Sequence, residues 1–183
     1  MDGEQTKAGD EARRLVDGSP AMTPAALLAR LAEQGIAQRT YDHPPVFTVE
    51  EARALRGRLV GSHCKNLFLR NKKGAMWLVT VEEERQIDLK DLAERLGAGR
   101  FSFGSAERLM RHLGVVPGSV TPLALVNDVT QSVSFAIDAA LLDGGPLNVH
   151  PLTNDRTTAL APADLLRFCE STGHGAQVLH FDE

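Results

Sequence analysis

The segment Asn71-Lys72-Lys73-Gly74 is the feature that most constrains how this chain can fold. It lies between two strand-like runs, at 66–69 and 75–81. A turn that begins with asparagine and ends with glycine between two such runs is a hairpin signal, because these residues tolerate the backbone angles of tight turns. Strands joined by so short a turn pair antiparallel, which favours a mixed sheet over a doubly wound parallel fold.

Helical and strand-like segments interleave irregularly along most of the chain. Helices are predicted from their capping residues and apolar stripes, and strands from short apolar runs bounded by glycine and proline. The predicted helices span 23–35, 48–55, 88–96, 105–113 and 163–171. The predicted strands span 36–41, 66–69, 75–81, 100–103, 123–126, 133–137, 146–150, 157–160 and 177–181. This order predicts an α+β fold, a single domain with a mixed, largely antiparallel β-sheet flanked by helices.

The chain is divided into a tail and one domain. Residues 1–20 are polar and lack an apolar stripe, which predicts a flexible N-terminal tail. Residues 21–183 form one domain, because 183 residues build one core but not two of ordinary size. No apolar run approaches the roughly 20 residues that span a bilayer, and no secretory signal is recognisable. We therefore expect a cytoplasmic protein without a membrane partner.

Charge and ligand spacing exclude several classes of function. The formal net charge of −4 argues against wrapping a long nucleic-acid duplex, although a footprint on a few phosphates is compatible with it. Cys64 and Cys169 form no CxxC, and the histidines show no HExxH spacing, so we expect no metal and no other cofactor. Ser119 lies in no GxSxG motif and has no recognisable histidine and aspartate partners, so it is not predicted to be a nucleophile.

Four segments together resemble a known family. They are Tyr41–Glu51 (YDHPPVFTVEE), His63–Leu69 (HCKNLFL), Gly118–Pro122 (GSVTP) and His150–Asn154 (HPLTN). The second holds a lysine before a predicted strand, and the third is a GxxxP loop. From Thr23 to Phe181 the chain resembles the YbaK/prolyl-tRNA-synthetase-associated editing domain, and within it the free-standing Ala-tRNA(Pro) deacylases called ProXp-ala. The resemblance implies hydrolysis of the ester that joins an amino acid to the 3′-terminal ribose of tRNA.

The resemblance also implies a set of catalytic residues, Lys65, Gly118, Ser119 and His150. Lys65 would hold the 3′-terminal nucleotide and place positive potential beside the ester; the alternative is a lysine that snorkels to solvent. Backbone N–H groups of the GxxxP loop, which holds Gly118 and Ser119, would hold the ester carbonyl, unless the loop is a plain connector. His150 would orient the nucleotide or the attacking water; the alternative is a structural histidine.

Seven further residues are implied to bind substrate: Pro45, Phe47, Asn66, Arg100, Thr121, Pro122 and Asn154. Pro45 and Phe47 would shape the amino-acid pocket, and Asn154 would shape its edge as a turn residue. Arg100 would contact the acceptor stem, and the basic residues at 70–73 would reach tRNA phosphates. Cys64, in contrast, is predicted to be a core residue, because neighbouring strand residues face opposite sides of a sheet.

We therefore predict water-mediated hydrolysis of Ala-tRNA(Pro) without a covalent intermediate. A synthetase pocket sized for proline cannot strongly reject the smaller alanine by binding alone, so a second, smaller pocket removes the error. The expected partner is the acceptor end of tRNA(Pro), with transient encounters with prolyl-tRNA synthetase or elongation factor. The alternatives are deacylation of Cys-tRNA(Pro) or Ser-tRNA, a non-catalytic module that binds the tRNA acceptor end, and a small-molecule binding protein on the same fold.

Overall fold

A computed structural model describes residues 13–45, 50, 51, 54 and 59–182. The α-helices within this part are α1 (Pro24–Glu33), α2 (Leu89–Leu96), α3 (Ala106–Leu113) and α4 (Pro162–Ser171), and 3-10 helices span Pro122–Asn127 and Ala139–Leu141. The strands are β1 (Gln38–Asp42), β2 (Ser62–Arg70), β3 (Met76–Glu82), β4 (Ser102–Phe103), β5 (Val133–Asp138), β6 (Leu147–Val149), β7 (Arg156–Leu160) and β8 (Ala176–Leu179). None of the described helices is long and apolar enough to cross a membrane.

Capping residues set the ends of α2 and α3 as the sequence predicts. The Asp88 carboxylate accepts two backbone N–H bonds at the start of α2, and the Ser105 hydroxyl accepts one at the start of α3. Both satisfy donors that a helix leaves unpaired at its first turn. Gly97 and Gly114 end these helices with φ of 61° and 65°, a left-handed conformation that glycine adopts without strain.

The strands form one mixed sheet in the order β1-β7-β6-β2-β3-β5-β8, with β4 paired to β2. The predicted hairpin joins β2 and β3, which pair antiparallel with Leu67 opposite Val79. The pairs β2–β6, β3–β5 and β5–β8 are parallel. The pairs β1–β7, β2–β4 and β6–β7 are antiparallel. This sheet confirms the predicted α+β class.

Helices cover both faces of the sheet. On the first face, α1, α3 and α4 pack with strand residues such as Phe68 and Leu78. On the second face, α2 packs through Leu92 against Leu69 and Val79. Because side chains alternate along a strand, Phe68 and Leu69 enter different cores. This alternation decides below which side chains of β2 can share a site.

The run at 123–126, predicted to be a strand, lies instead in the 3-10 helix Pro122–Asn127. Proline at the first position suits a helix start, and the Thr121 hydroxyl accepts a hydrogen bond from the backbone N–H of Leu123. Leu123 and Leu125 are both fully buried. A short apolar run that is buried on all sides has no periodicity that separates a strand from a helix, which is why the prediction was wrong.

The segment 13–20, predicted to belong to a flexible tail, packs on the domain and is called the arm below. Leu15 is only 5% exposed. The backbone N–H of Val16 donates to the carbonyl oxygen of Arg111, at the end of α3, at 2.8 Å. Two adjacent apolar residues, Leu15 and Val16, produce no apolar stripe, so the sequence contained no periodic signal for this contact.

Candidate active site

Lys65 lies inside β2 rather than before the strand, because β2 begins at Ser62. Its side chain projects from the second face of the sheet, beside Val81 of β3. It is half-buried, and its Nζ donates to the backbone oxygen of Arg85. That acceptor is neutral, and no carboxylate of the described residues forms an ion pair with Lys65. Two of the three ammonium N–H groups therefore remain for an incoming anion.

The backbone acceptor of Lys65 is itself held in place by a buried ion pair. Arg85 Nε lies 2.5 Å from Oδ2 of Asp138, whose side chain is 1% exposed. This hydrogen bond raises the pKa of the Arg85 guanidinium, so the guanidinium stays charged. The guanidinium also lies 4.7 Å from the ring centre of Phe181. Arg85 is thus a fixed element against which the Lys65 ammonium is positioned.

Strand β2, which holds Lys65, pairs with β6, and His150 directly follows β6. Strands β2 and β6 run parallel, with His63 beside Asn148. The paired residues end there, and Lys65 and His150 each follow two residues later, where the continued register would set the two chain segments about 5 Å apart. Val149 belongs to the first-face core, so alternation turns His150 to the second face, where Lys65 also lies. The pairing of β2 with β6 therefore sets the segments of two predicted catalytic residues side by side, with both side chains on the same face.

The hydrogen bonding of His150 sets its protonation. Its Nδ1 lies 3.0 Å from the carbonyl oxygen of Arg156, which only accepts, so Nδ1 carries the hydrogen and Nε2 a lone pair. Burial lowers the pKa of His150 from 6.5; the hydrogen bond to Arg156 opposes this shift and the charge of His43 adds to it. The ring is neutral at pH 7. Nε2 is then an acceptor for a water molecule or a hydroxyl group.

His43 and Thr157 extend the site beyond the residues predicted from sequence. Continuing the β6–β7 register by one residue sets His150 opposite Thr157. The Thr157 hydroxyl lies 2.8 Å from Nε2 of His43, whose backbone N–H donates to the Asp155 carbonyl at 2.9 Å. Lys65, His150, Thr157 and His43 thus form a polar row across four neighbouring chain segments. The motif containing His43 was recognised, but the pairing with Thr157 depends on strand register and has no local signal.

The GxxxP loop lies beside the turn that contains Asn154. A Cβ atom built on Gly118 would lie 3.8 Å from Asn154 Nδ2, and φ at Gly118 is 92°, which favours glycine. The Ser119 N–H donates to the carbonyl oxygen of Val116 in the preceding turn, at 3.0 Å. No acceptor among the described residues takes the N–H of Gly118 or Val120. The loop therefore presents two open backbone donors, the kind of group that stabilises an oxyanion.

The side chains of the GxxxP loop face inward. Ser119 is 2% exposed, and Thr121 and Pro122 are also buried. Thr121 caps the following 3-10 helix through its hydroxyl. In the described part of the chain, no histidine or aspartate bonds to the Ser119 hydroxyl, so the geometry offers no activated nucleophile. These residues shape the backbone that carries the open N–H groups.

A strained residue connects the polar row to the loop. Leu152 has φ of 66°, a left-handed conformation that is rare for a non-glycine residue. Such a conformation persists where the surroundings impose it, and Leu152 packs against the first-face core. The strained turn lets His150 stay in the row while Asn154, four residues later, reaches the loop at Gly118. The sequence contained no sign of this strain.

A cavity of about 450 Å³ opens beside the GxxxP loop. Ser119, Leu152 and Asn154 line one side of it, and Met110 of α3 and Arg13 of the arm line another. The volume lies within the range of small-molecule sites. This cavity is large enough for a terminal nucleoside that carries a small aminoacyl group.

The other predicted residues lie outside this arrangement or cannot be placed. Asn66 turns to the first face, where its Oδ1 accepts from the Thr80 hydroxyl at 2.6 Å. Arg100 is exposed and lines a separate cavity of about 670 Å³ beside α2. Pro45 is exposed at the end of a described segment. Phe47 lies outside the described residues.

Cys64 faces the first-face core, as the alternation along β2 predicts. Burial raises the pKa of its thiol to about 12, with the charges of Glu83 and Glu82 adding to the shift. The thiol is therefore protonated at neutral pH and is a poor nucleophile. The predicted core role of Cys64 is confirmed.

Comparison with known proteins adds independent findings. The profile of a family described as the aminoacyl-tRNA editing domain matches residues 43–168. The Bos taurus prolyl-tRNA synthetase associated domain-containing protein 1 is 45% identical over 164 residues, covering 87% of this chain and 95% of that protein. The prolyl-tRNA editing protein ProX of Acetoanaerobium sticklandii is 35% identical, covering 81% of this chain and 92% of that protein. A crystal structure assigned as a trans-editing enzyme for prolyl tRNA synthetase has the same fold, with a TM-score of 0.67 at 23% identity, over 88% of this chain and 98% of that one.

Proposed function

This chain belongs to the aminoacyl-tRNA editing domain family, and on that premise we propose that it deacylates Ala-tRNA(Pro), alanine mischarged onto proline tRNA. The names of two relatives support proline tRNA as the tRNA of the substrate. One is named a prolyl-tRNA editing protein and the other a prolyl-tRNA synthetase associated domain-containing protein. The observations that carry the proposal are the polar row, which holds Lys65 and His150, and the GxxxP loop, which has two open N–H donors and meets the turn that follows His150. These groups match the needs of ester hydrolysis.

In the proposed reaction, water attacks the carbonyl carbon of the aminoacyl ester. The bond from this carbon to the ribose oxygen breaks. The N–H groups of Gly118 and Val120 stabilise the oxyanion that forms on the carbonyl oxygen. Nε2 of neutral His150 accepts a hydrogen bond from the water, directly or through the neighbouring ribose hydroxyl, and the proton finishes on the leaving ribose oxygen. The products are free alanine and tRNA(Pro), without an acyl-enzyme.

Lys65 supplies positive charge in the proposed reaction. Its ammonium keeps two open donors, and the backbone oxygen of Arg85 holds it on the face where His150 lies. A phosphate of the terminal nucleotide fits such a compact cation. Half-burial strengthens the attraction relative to open solvent, because water screens it less.

Selectivity for alanine is proposed to come from a stiff wall beside the cavity. Pro122 is buried at the end of the GxxxP loop, and Ser119 and Thr121 are packed inward. Where two substrates differ only in how much apolar surface they bury, one methylene changes the binding free energy by about 1–3 kcal/mol. A substrate that clashes with a rigid wall is disfavoured by more. Proline carries a ring where alanine carries a methyl group. We therefore expect Pro-tRNA(Pro) to be excluded by size.

A deacylation assay on a panel of charged tRNAs tests the substrate. The panel contains Ala-tRNA(Pro), Pro-tRNA(Pro), Cys-tRNA(Pro) and Ser-tRNA. We expect Ala-tRNA(Pro) to be hydrolysed fastest and Pro-tRNA(Pro) to survive. Equal cleavage of Ala-tRNA(Pro) and Pro-tRNA(Pro) would refute the proposal, since the protein would destroy correct product. Faster cleavage of Cys-tRNA(Pro) or Ser-tRNA would reassign the substrate, and binding without hydrolysis would identify a binding module.

Lys65→Met tests the site in the same assay. It removes the charge but keeps an unbranched side chain, and we expect kcat/KM to fall by about 100-fold. The matched control is Lys90→Met, which removes an exposed lysine from α2. Near-normal turnover by a folded Lys65→Met protein would rule out the proposed site. Far-UV circular dichroism and thermal unfolding check the fold of both variants.

A further inference from the structure

The arm joins the end of α3 and carries two arginines beside the cavity. Leu15 anchors it, and Val16 bonds to the backbone of Arg111. Arg13 and Arg14 line the cavity of about 450 Å³ that Ser119 also lines. The arm is thus a wall of the candidate active site, although it is distant in sequence from every residue of that site.

A second depression is also lined by the arm. Its volume is about 360 Å³, and it is lined by Val16, Glu107, Arg108, Arg111 and His112, together with Ser105. Val16 belongs to the arm, so the arm lines both depressions. We call Arg13, Arg14, Arg108 and Arg111 the arginine surface.

Within the described residues, the arginine surface carries more positive than negative charge, although the chain as a whole is acidic. The formal net charge of the chain is −4. No carboxylate among the described residues pairs with the guanidinium of Arg13, Arg108 or Arg111. The acids on the same elements are Asp17, which already accepts two hydrogen bonds from Ser19, and Glu107. Among the described residues, three guanidinium groups without a carboxylate partner therefore lie on elements that carry two carboxylates.

His112 does not add to this charge at neutral pH. Burial lowers its pKa, and the neighbouring arginines lower it further, against the attraction of Asp128. The cationic character of the surface thus comes from arginine alone. Guanidinium groups are planar, always charged and suited to phosphate oxygens.

We infer that the arginine surface binds the phosphate backbone of the tRNA strand that leads to the reacting 3′-terminal nucleotide. The inference rests on the proposed function, which places that nucleotide in the cavity beside Ser119. An RNA strand leaving this cavity past Arg13 and Arg14 next meets Arg108 and Arg111. Backbone contacts of this kind fix register and add affinity without reading bases.

The inference assigns the phosphate contacts to the arginine surface rather than to the β2–β3 hairpin. Lys72 and Lys73 are exposed in that hairpin. The hairpin begins after Arg70, five residues and roughly 17 Å along β2 from Lys65. The arm, in contrast, lines the same cavity as the GxxxP loop.

The experiment compares two double variants, Arg108→Ser/Arg111→Ser and the control Lys72→Ser/Lys73→Ser. Each removes two positive charges from the surface. The affinity of uncharged tRNA(Pro) is measured by fluorescence anisotropy as a function of KCl concentration. For four phosphate contacts on a single strand, the slope of log K against log salt is about −3, and removing two contacts reduces its magnitude by roughly 1.5. We expect this change in the arginine variant and an unchanged slope in the lysine variant.

Kinetics separate this inference from the proposed function. We expect the arginine variant to raise KM for Ala-tRNA(Pro) about tenfold, while its hydrolysis of 3′-alanyl-adenosine, which has no preceding phosphates, stays at the wild-type rate. Arg13→Ser, an exposed single change, should give a smaller loss of tRNA affinity and guards against misfolding of the double variant. An unchanged slope and KM in the arginine variant, or an equal change in the lysine variant, would overturn the inference. A wild-type protein that hydrolyses neither ester would refute the proposed function, while the binding slopes would still decide on the arginine surface.

Discussion

Replacing Gly118 by alanine separates the effect of the GxxxP loop on catalysis from its effect on stability. Gly118 has φ of 92°, and an added Cβ atom would lie 3.8 Å from Asn154 Nδ2, an ordinary van der Waals distance. The substitution therefore causes backbone strain but no clash. A left-handed conformation costs a non-glycine residue about 1–2 kcal/mol. For a domain of this size, each kcal/mol lowers Tm by about 2–4 °C, so we expect a decrease of about 2–8 °C.

Gly74 supplies the matched control. It has φ of 84° in the β2–β3 hairpin, and an added Cβ atom would have no neighbour within 4 Å. Gly74→Ala should therefore lower Tm by a similar amount while kcat/KM stays at the wild-type value. Gly118→Ala should in addition lower kcat/KM by about tenfold or more, because strain in the loop displaces the N–H donors proposed to hold the oxyanion.

Thermal unfolding and single-turnover deacylation of Ala-tRNA(Pro) measure the two effects separately. Equal rates for Gly118→Ala and the wild-type protein would show that the loop backbone does not contact the reacting ester. An equal loss of activity in Gly74→Ala would show that the effect arises from global destabilisation. Either result would refute the assignment of the oxyanion site to this loop.

The remaining predictions concern acid sensitivity, nucleophiles and a close backbone contact. Burial lowers the pKa of His150 in the folded chain below 6.5, its ordinary value. At a pH between these two pKa values, His150 binds a proton in the unfolded chain but not in the folded chain. The free energy of unfolding should therefore decrease as the pH falls through this window, and urea titrations should show a weaker decrease for His150→Asn; an equal pH dependence would contradict the burial argument. Ser119→Ala and Cys64→Ala should retain substantial deacylase activity and no acyl-enzyme should be trapped in mass spectra, whereas a covalent adduct on either side chain would overturn water attack. Gly61→Ala should lower Tm far more than Gly74→Ala. The added Cβ atom would overlap the carbonyl oxygen of Pro146, and alanine would also have to adopt a strained φ of 110°. An equal Tm for the two variants would refute this.

Local sequence signals were sufficient wherever neighbouring residues decide the structure. Asn71 and Gly74 specify the hairpin, and Asp88 and Ser105 begin two helices through bonds that reach only two or three residues ahead. Alternation along a strand placed Cys64 in the core. Each of these inferences depends on contacts within a few residues, so no knowledge of the tertiary structure was needed.

Predictions were wrong where burial removed the local pattern. The run at 123–126 is apolar in either conformation, and the packing of the first-face core, together with Pro122 and Thr121, selects a 3-10 helix. The arm has only Leu15 and Val16 as large apolar side chains, and its contact with α3 appears only in the tertiary structure. In both places the deciding contacts come from residues distant in the chain.

The residues of the candidate site could be chosen from motifs, but their arrangement could not. The sequence determined the order and type of most elements and indicated Lys65, the GxxxP loop and His150 as candidates. Only the tertiary structure set the segments of Lys65 and His150 side by side, through the parallel pairing of β2 and β6, and brought Thr157 into the same row. Strand order and register are decided by which apolar faces can be buried together, a property of the whole chain that no short segment encodes. The same physical reason explains why the arm lines the cavity beside the loop.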